Sequence, residues 1–537
     1  MFFPKSSQHI QAVIELTKIH PDIDPEEMEE QGSIPKKSIN SLFYTIKSRI
    51  SHILQGGKFD FFKDVTKLLT GNVAVQALSL GLSPIMTRLF LPEYFGITAV
   101  FSSLYTLFSG FTCLRYEVSI VITKTKEEAA NMLVVSVIFA FLTTSILFPL
   151  VWIFRGWIAS TLKTPLLADM IWVVPIISFM IGVFNALNYW NTRQRKFSRL
   201  SFALVLQEFA MDSIRLGAGF MGFASAAALI FSNLIGSFSS FAELVRRLFR
   251  EDRDSFKAIN WKYIREGIVR YRKFPLFNIW AGLVSNFSLQ LPTFMLAAFF
   301  SSTVIGQYSL GYRMTRLPVV MVSGAIGQVF LQRAAKARLD GNIGTLVQNT
   351  FSRLVTIGIF PMLLITLIGR DLFAVALGPK WVDAGVYSQI ISMWTFFVFI
   401  TSPLLTLTNI YERQEINLII NSISFICRAI ALVIGGTYHN VILALSLVAI
   451  SGSLIEIWFL RWALRTTGVS IIWGISKIFK GFIFCLPFLL SIWLYDWIFQ
   501  PKSLMLVGVS VLIGLLYYAA VVIRDPESGK MFLIQKK

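Results

Sequence analysis

Long apolar stretches separated by short polar segments run along the chain from residue 68 to residue 523. A stretch of about 20 apolar residues can cross the hydrocarbon core of a bilayer as a helix. Fourteen stretches reach this length, and thirteen is the alternative because two pairs are closely spaced. They predict an all-α membrane protein, since open strand edges are not tolerated in lipid. The predicted spans are 68–91, 97–122, 131–154, 166–188, 202–222, 226–242, 275–299, 303–332, 346–369, 384–409, 414–436, 441–460, 478–499 and 504–523.

The charge distribution predicts how these spans are oriented. Only 15% of the 537 residues are charged, yet the net charge is +19. With the N-terminus placed in the cytoplasm, 37 of the 49 basic residues fall on the cytoplasmic side and five fall on the other side. By the positive-inside rule, both termini are expected in the cytoplasm. The basic charge therefore reflects topology and does not indicate a nucleic-acid-binding surface.

The first and seventh spans resemble each other, which predicts two lobes related by an internal repeat. Pro84 and Pro292 each lie about 17 residues into their span, and Gly96 and Gly306 each open the next one. Six spans separate the two units, so both have the same orientation, as in transporters with parallel repeats. The predicted regions are a cytoplasmic extension at 1–66 with an amphipathic helix on the membrane surface, an N-lobe at 67–242, a basic loop acting as a hinge at 243–274, a C-lobe at 275–462, and two further spans with a tail at 463–537.

Ionisable side chains inside the spans are the candidate functional groups. A charge in the hydrocarbon core costs about 2.5–3.5 kcal/mol on insertion scales unless it faces water or a partner. Glu208, Asp212 and Arg215 lie at i, i+4 and i+7, on one face of the fifth span. They are expected to line a cavity or to pair across the lobes. The alternative is an Asp212–Arg215 pair that only holds helices together. Glu208 and Asp212, with Glu117, are the candidates for a coupling-cation or proton site.

Arginines outnumber acids within the spans, which favours an anionic cargo. Arginine stays charged and makes forked hydrogen bonds to phosphate oxygens. In a regular helix Arg115 and Glu117 would point about 200° apart, so we do not expect them to pair. An interfacial anchor is the alternative role for Arg88, and a side chain reaching the membrane surface is the alternative for Arg115. The candidate substrate-binding residues are Arg88, Arg115, Arg215, Arg313, Arg316, Arg428, Gln76, Gln290 and Asn421.

The sequence shows no pattern of a catalytic or metal centre. Its three cysteines and four histidines have no metal-ligand spacing, and there is no Walker A motif. Asp252-Arg253-Asp254 has the form of a DxD metal motif, but no nucleotide-binding pattern surrounds it. Segments on the external side are short, which argues against a membrane-bound transferase. We expect no enzymatic activity, no cofactor and no metal.

Several motifs follow one another as they do in bacterial polysaccharide (Wzx-type) flippases. They are Gly71-Asn72 to Ser83-Pro84, Thr87-Arg88-Leu89-Phe90, Leu91-Pro92-Glu93-Tyr94-Phe95-Gly96, Leu114-Arg115-Tyr116-Glu117, Asn188-Tyr189-Trp190-Asn191, Tyr312-Arg313 to Pro318, Gly327-Gln328-Val329-Phe330 and Leu377-Gly378-Pro379-Lys380-Trp381, followed by Asn421 and Arg428. Over residues 65–470 the chain resembles this family, part of the multidrug/oligosaccharidyl-lipid/polysaccharide exporter superfamily.

The resemblance implies two six-helix lobes in a V around a central cavity, followed by two C-terminal helices. In the lipid II flippases of the superfamily such helices help to form a groove for the lipid tail. It also implies alternating-access transport of undecaprenyl-diphosphate-linked oligosaccharide for cell-surface polysaccharides such as O-antigen. The expected partners are this lipid-linked substrate, membrane lipids and polysaccharide polymerase or assembly proteins, with no nucleic acid and the carrier itself a monomer.

Two other functions stay open from the sequence. A cation-coupled multidrug exporter of the same superfamily should carry an acidic cavity. A non-transporting scaffold of a glycan-assembly complex should pair its buried charges internally.

Overall fold

In the computed structural model, residues 75–524 are described, and all regular elements of this part are helices. The predicted extension at 1–66 with its surface helix, and the tail after residue 524, lie outside the described residues. The helices that match predicted spans are α1 75–89, α2 Pro92–Ser109, α3 Lys126–Ile153, α4 Val173–Arg193, α5 Phe197–Phe220, α6 Ala226–Glu251, α7 Ile279–Phe299, α8 Ser302–Pro318, α9 Ile343–Leu377, α10 Val382–Thr401, α11 Gln414–Thr437, α12 Val441–Thr466, α13 Ile471–Phe499 and α14 Ser503–Arg524. Shorter helices between them include Arg155–Thr161, Pro165–Met170, Trp261–Arg270 and Gly324–Leu339.

Ten of the helices in residues 75–524 are long and apolar enough to cross a membrane. They are α3, α4, α6, α7 and α9 to α14. Two of the others, α5 and α8, carry most of the charges singled out in the sequence. The chain is thus a multi-pass membrane protein, while a total of fourteen crossings stays a prediction.

The helices pack as two lobes with a C-terminal pair on one side. In the first lobe α5 packs on α6 and α3 on α4; in the second, α9 packs on α10 and α11 on α12. Helices α13 and α14 lie against α9. The hydroxyl of Tyr517 donates to the carbonyl of Thr356 at 2.9 Å, and the ring of Tyr517 stacks on Phe360 with centroids 4.4 Å apart. The C-terminal pair is therefore fastened to the second lobe.

Gly96 and Gly306, the two glycines of the predicted repeat, bring α2 and α8 into backbone contact. A Cβ on Gly96 would lie 1.7 Å from the carbonyl oxygen of Ser302, and a Cβ on Gly306 would lie 1.8 Å from that of Pro92. Each glycine touches the first residue of the other helix, so the contact follows the symmetry of the repeat. Only glycine fits at either position. Around it, residues from both lobes form one buried hydrophobic cluster.

Two side chains, those of Arg88 and Trp381, tie the lobes together at the same end of the bundle. Arg88, at the end of α1, donates to the carbonyls of Val375 at 3.2 Å and Ala376 at 3.4 Å, near the end of α9. The indole N–H of buried Trp381 donates to the carbonyl of Thr87 at 2.9 Å. Within the second lobe, the side chain of Gln307, next to Gly306, donates to the carbonyl of Lys380 and accepts from the backbone N–H of Ala384, which holds α8 against the start of α10. The lobes are thus closed at the end where α2 and α8 begin.

Two predicted spans are not continuous helices. The span predicted at 97–122 was wrong in this respect, because α2 ends at Ser109 and both Leu114 and Arg115 have a positive φ. The span predicted at 303–332 changes to a π-helix at Val319–Ser323, directly after Pro318. An apolar composition indicates which residues are buried in lipid but does not describe the backbone geometry. Neither break can therefore be predicted from hydrophobicity.

The segment predicted as a free hinge loop, 243–274, is largely ordered on the first lobe. Helix α6 continues to Glu251, and the helix Trp261–Arg270 packs on α3. The amide of Asn131 on α3 donates to the carbonyl of Ala258 and accepts from the backbone N–H of Asn260, both at 3.0 Å. The residues just before α7, with a π-helical turn at Phe274–Asn278, lead the chain into the second lobe.

The DxD-like triplet belongs to a structural charge network. Asp252 is buried and accepts hydrogen bonds from Lys196 at 2.7 Å, Arg199 at 2.9 Å and the indole of Trp190 at 3.3 Å. Asp254 pairs instead with Lys257 at the surface. The two carboxylates have separate partners, and residues 75–524 contain no group of acids, histidines and cysteines that could hold a metal.

We predict that Gly306→Ala loosens the closed end of the bundle. The added methyl overlaps the Pro92 carbonyl, and overpacking of this kind costs about 1–3 kcal/mol. Thermal unfolding in detergent should therefore start at a lower temperature than in the wild type. Gly81→Ala on α1 is the matched control, because a Cβ there meets nothing within 4 Å. Equal melting of the two variants would contradict the contact.

We predict that Asp252→Asn destabilises the first lobe by about 2 kcal/mol, the scale of one hydrogen bond to a charged group. Burial acts to raise the pKa of Asp252, but the hydrogen bonds from Lys196, Arg199 and Trp190 outweigh it, and the pKa lies below its ordinary value of 3.8. The stabilisation is complete above that value and is lost as the pH falls through the lower folded pKa.

Thermal unfolding from about pH 7 to about pH 3 checks this, because the gap between wild type and Asp252→Asn should close only at the acid end. A gap independent of pH would show that the carboxylate charge is not the stabilising feature.

Candidate anion-binding site between the lobes

The acidic and basic side chains of α5 share one face, as the spacing predicts, and two of them pair within the first lobe. Arg215 lies 3.4 Å from Asp212 and donates to Ser232 at 2.9 Å and Asn233 at 2.8 Å on α6. Asp212 is buried, and the Arg215 side chain is only 15% exposed. The donors of Arg215 are therefore already used to hold α5 against α6. This geometry matches the alternative in which the Asp212–Arg215 pair holds helices together. Few hydrogen-bond donors of Arg215 remain for a ligand.

Arg313 on α8 reaches across to the first lobe. Its guanidinium lies 3.8 Å from the carboxylate of Glu208 on α5 and donates to the hydroxyl of Ser79 on α1. Its side chain is 49% exposed, whereas that of Glu208 is 10% exposed. Arg313 thus joins the lobes and still keeps half of its surface free for another partner.

Four charged side chains in this region have buried polar atoms without a hydrogen-bond partner among residues 75–524. The atoms are Oε1 of Glu208, Oδ2 of Asp212, Nε of Arg115 and Oε2 of Glu117. Leaving such an atom unpaired costs about 1–3 kcal/mol, and native proteins keep few of them. They are therefore the positions in this part of the chain where a ligand or ion would improve the hydrogen bonding.

Arg115 and Glu117 lie at the break after α2 and do approach each other. Their charged atoms are 4.0 Å apart, so the expectation that they cannot pair was wrong. That expectation assumed a regular helix, but the left-handed backbone at Arg115, with φ of 63°, turns its side chain back. The guanidinium lies against Gly282 of α7, where an added Cβ would be 2.3 Å from Nη2. This pair therefore also faces the second lobe.

Arg316 and Arg428 form a separate cluster with aromatic rings in the second lobe. Arg316 donates to the hydroxyl of Tyr312 at 2.6 Å, and the guanidinium of Arg428 lies 5.3 Å from the ring centre of Trp394. Tyr312 stacks between Tyr308 and Trp394, with centroid separations of 5.6 Å and 6.1 Å. Cation–π contacts of this kind are worth about 0.5–2 kcal/mol, and they hold both guanidinium groups against the aromatic rings of this lobe.

The polar candidates have different positions. Gln290 accepts a hydrogen bond from Ser103 at 2.8 Å and so joins α7 to α2. Gln76 is half-buried on α1, one turn before Ser79. Asn421 is exposed and donates to Asn417 of its own helix, so its hydrogen bonds do not bring it to the arginines. Arg88 belongs to the closed end of the bundle.

Some contributing residues were not among the sequence candidates. Ser232 and Asn233 accept hydrogen bonds from Arg215, and Ser79 accepts one from Arg313. The ring of Trp394 makes the cation–π contact with Arg428. Ser232 and Asn233 could have been found from the sequence, because they are adjacent polar residues in the apolar helix α6. Trp394 looks like any buried aromatic residue in the sequence.

Comparison with known proteins places the chain in a family. Residues 85–386, more than half of the chain, match the model of a family of polysaccharide biosynthesis proteins. The chain belongs to this family. No curated protein matches the sequence significantly. The resemblance to a polysaccharide-exporting family stated from the motifs is thus confirmed at the level of the family.

Solved structures with the same fold are membrane transporters. The lipid II flippase MurJ in an inward closed conformation superimposes with a TM-score of 0.69 at 14% identity, over 85% of this chain and 99% of that one. An inward-facing multidrug resistance MATE family transporter of the MOP superfamily gives 0.53 at 15% identity, over 75% of this chain and 94% of that one. These likenesses confirm the all-helical fold predicted from the sequence.

We predict that Arg215 and Arg313 differ in their effect on stability. Arg215→Ala leaves buried Asp212 without its ion-pair partner and should cost about 3 kcal/mol, as for other broken buried pairs. Arg313→Ala removes a half-exposed side chain and should cost less than about 1 kcal/mol. Thermal unfolding of both variants in the same detergent compares them directly. A larger loss for Arg313→Ala would mean that its main role is structural.

Proposed function

We propose that this protein is a flippase that moves undecaprenyl-diphosphate-linked oligosaccharide units across the bacterial inner membrane by alternating access. The observation that carries the proposal is Arg313, a half-exposed guanidinium held between the lobes of a polysaccharide biosynthesis protein. A guanidinium can donate two parallel hydrogen bonds to a phosphate group. A diphosphate with its sugars fits such a site better than a cationic drug does.

In this mechanism the diphosphate meets Arg313 between the lobes while the polyprenyl tail stays in lipid. Arg115, which faces α7, and the pair Arg316 and Arg428 supply further positive charge along the path of the head group. An inside-negative membrane potential favours outward movement of each negative charge by about 2.3 kcal/mol per 100 mV. No chemical bond changes in this proposal, which is transport and not catalysis.

With both termini in the cytoplasm, as the positive-inside pattern predicts, the closed end of the bundle would face the periplasm. The Gly96–Gly306 contact, the Arg88 hydrogen bonds and the Trp381 hydrogen bond would then form the gate that opens to release cargo. Because the segment before Arg270 is fastened to the first lobe, the turn at Phe274–Asn278 would be the hinge. The lobes in this proposal are residues 67–242 and 275–462, with both termini in the cytoplasm.

An apolar cavity beside the C-terminal pair suits a lipid chain. It has a volume of about 510 Å³ and lies between α9, α10, α12 and α13. Met362, Phe396, Leu460 and Phe479 are among its lining residues, and Arg461 is its charged side chain. A part of the polyprenyl tail or a membrane lipid would fill this space, which gives α13 a role beside the second lobe.

We predict that Arg313→Ala slows flipping at least tenfold, which corresponds to about 1.4 kcal/mol. The measurement uses proteoliposomes with a fluorescent undecaprenyl-diphosphate-linked oligosaccharide and follows its appearance in the opposite leaflet. Arg155→Ala is the matched control, because Arg155 is an exposed arginine stacked on Trp152, away from the lobe interface. An unchanged rate for folded Arg313→Ala would refute the proposed site.

One observation favours a second candidate, a cation-coupled exporter of the same superfamily. Glu208 and Asp212 are buried acids whose free oxygens, Oε1 and Oδ2, could accept a cation. The same vesicles distinguish the two functions, because an exporter would accumulate a lipophilic fluorescent cation and leave the lipid-linked oligosaccharide in place. Transport of neither probe would favour a scaffold of a glycan-assembly complex.

A further inference from the structure

The pair formed by Glu208 and Arg313 connects helices of different lobes. Glu208 lies on α5 of the first lobe and Arg313 on α8 of the second, with 3.8 Å between Oε1 and Nη2. At this separation the two groups attract each other as charges, but Oε1 still accepts no hydrogen bond among the described residues. Arg313 can therefore exchange this long contact with Glu208 for a shorter contact with another anion.

Glu208 depends on Arg313 because the other nearby cation is engaged elsewhere. The charged and titratable groups around Glu208 are Asp212 and Arg215 on its own helix, Arg313 on α8 and Tyr105 on α2. Arg215 is hydrogen-bonded to Asp212, Ser232 and Asn233. Asp212 adds a second negative charge one turn away. Arg313 is thus the cation with donors to spare beside the buried Glu208 carboxylate.

A carboxylate and a phosphate compete for a guanidinium, since both are acceptors of the same forked donor. An anion arriving on the exposed side of Arg313 would be repelled by a charged Glu208 a few ångströms away. This repulsion is removed if Arg313 turns to the anion and Glu208 takes up a proton from solvent, since Glu208 is then buried without a partner.

We infer that Glu208 is an internal competitor for the cargo phosphate: it holds Arg313 across the lobes in the empty carrier and yields it to the incoming diphosphate. The inference rests on the proposed function and adds the event that links binding to movement. Cargo binding removes the tie between α5 and α8, so a loaded carrier is freed to rearrange while an empty one is restrained. Proton uptake by Glu208 accompanies binding, and cargo affinity falls as the pH rises.

The test measures the affinity of the purified full-length protein in nanodiscs for farnesyl diphosphate, a short polyprenyl diphosphate. Glu208→Gln keeps the size of the side chain and removes its charge, so it should bind roughly five- to tenfold tighter than the wild type at about pH 7.5, within the usual range of coupling between two sites. From about pH 6 to about pH 8 the wild-type affinity should weaken relative to that of Glu208→Gln, because titration of the probe's terminal phosphate affects both proteins alike and only the wild type has the Glu208 carboxylate.

Glu243→Gln is the matched control, because it removes the same charge from α6, where Glu243 pairs with Arg246 and Arg247. It should bind like the wild type. Spin labels on exposed Arg253, in the segment that packs on the first lobe, and on exposed Arg413 of the second lobe report the tie itself. Without ligand, their distance distribution should be broader in Glu208→Gln than in the wild type. Glu208→Met, of similar size and without charge, replaces Glu208→Gln if that variant does not fold.

The outcomes separate this inference from the proposed function. If the wild type does not bind the probe, or Arg313→Ala binds it equally well, the Arg313 site is refuted and the competition falls with it. If Arg313→Ala loses binding while Glu208→Gln binds no tighter, or its label distances are unchanged, the competition alone is refuted. Tighter binding by Glu208→Gln, by a factor that grows with pH, supports the inference if the distance distribution is also broadened.

Discussion

Backbone contact between Gly96 and Gly306 determines how the two lobes meet. Because neither residue has a side chain, α2 and α8 approach until the start of each helix touches the other. Arg313 follows Gly306 by seven residues, about 10 Å along α8, which places its guanidinium beside α1 and α5. The pair of arginine and glutamate across the lobes, and the hydrogen bonds of Arg88 and Trp381 at the closed end, all depend on this approach.

The arginines of the interior have distinct roles once their partners are known. Arg215 is held on all sides within the first lobe and stabilises the packing of α5 on α6. Arg316 and Arg428 rest on aromatic rings of the second lobe. Arg313 combines exposure with a position between the lobes. An excess of arginine in a membrane domain therefore does not mean that every arginine binds the cargo. The arginines differ in how many of their donors are already hydrogen-bonded within the protein.

Much of the fold could be predicted from the sequence, because membrane insertion and repeats leave local signals. The apolar spans, the family resemblance and the paired glycines Gly96 and Gly306 were all visible in the chain. The pairing of Arg115 with Glu117 was not, since it depends on a backbone break that hydrophobicity does not record. The partners of Arg88 were hidden for another reason: Val375 lies 287 residues away, and no local pattern reports a contact at that separation.

The most direct test of this account is a structure of the protein with bound undecaprenyl-diphosphate-linked oligosaccharide. We expect phosphate oxygens within hydrogen-bonding distance of the Arg313 guanidinium, with Glu208 moved away from it and Arg215 still bonded to Asp212, Ser232 and Asn233. A diphosphate bound elsewhere, with the Glu208–Arg313 pair intact, would contradict the central claim that cargo is recognised at the arginine between the lobes.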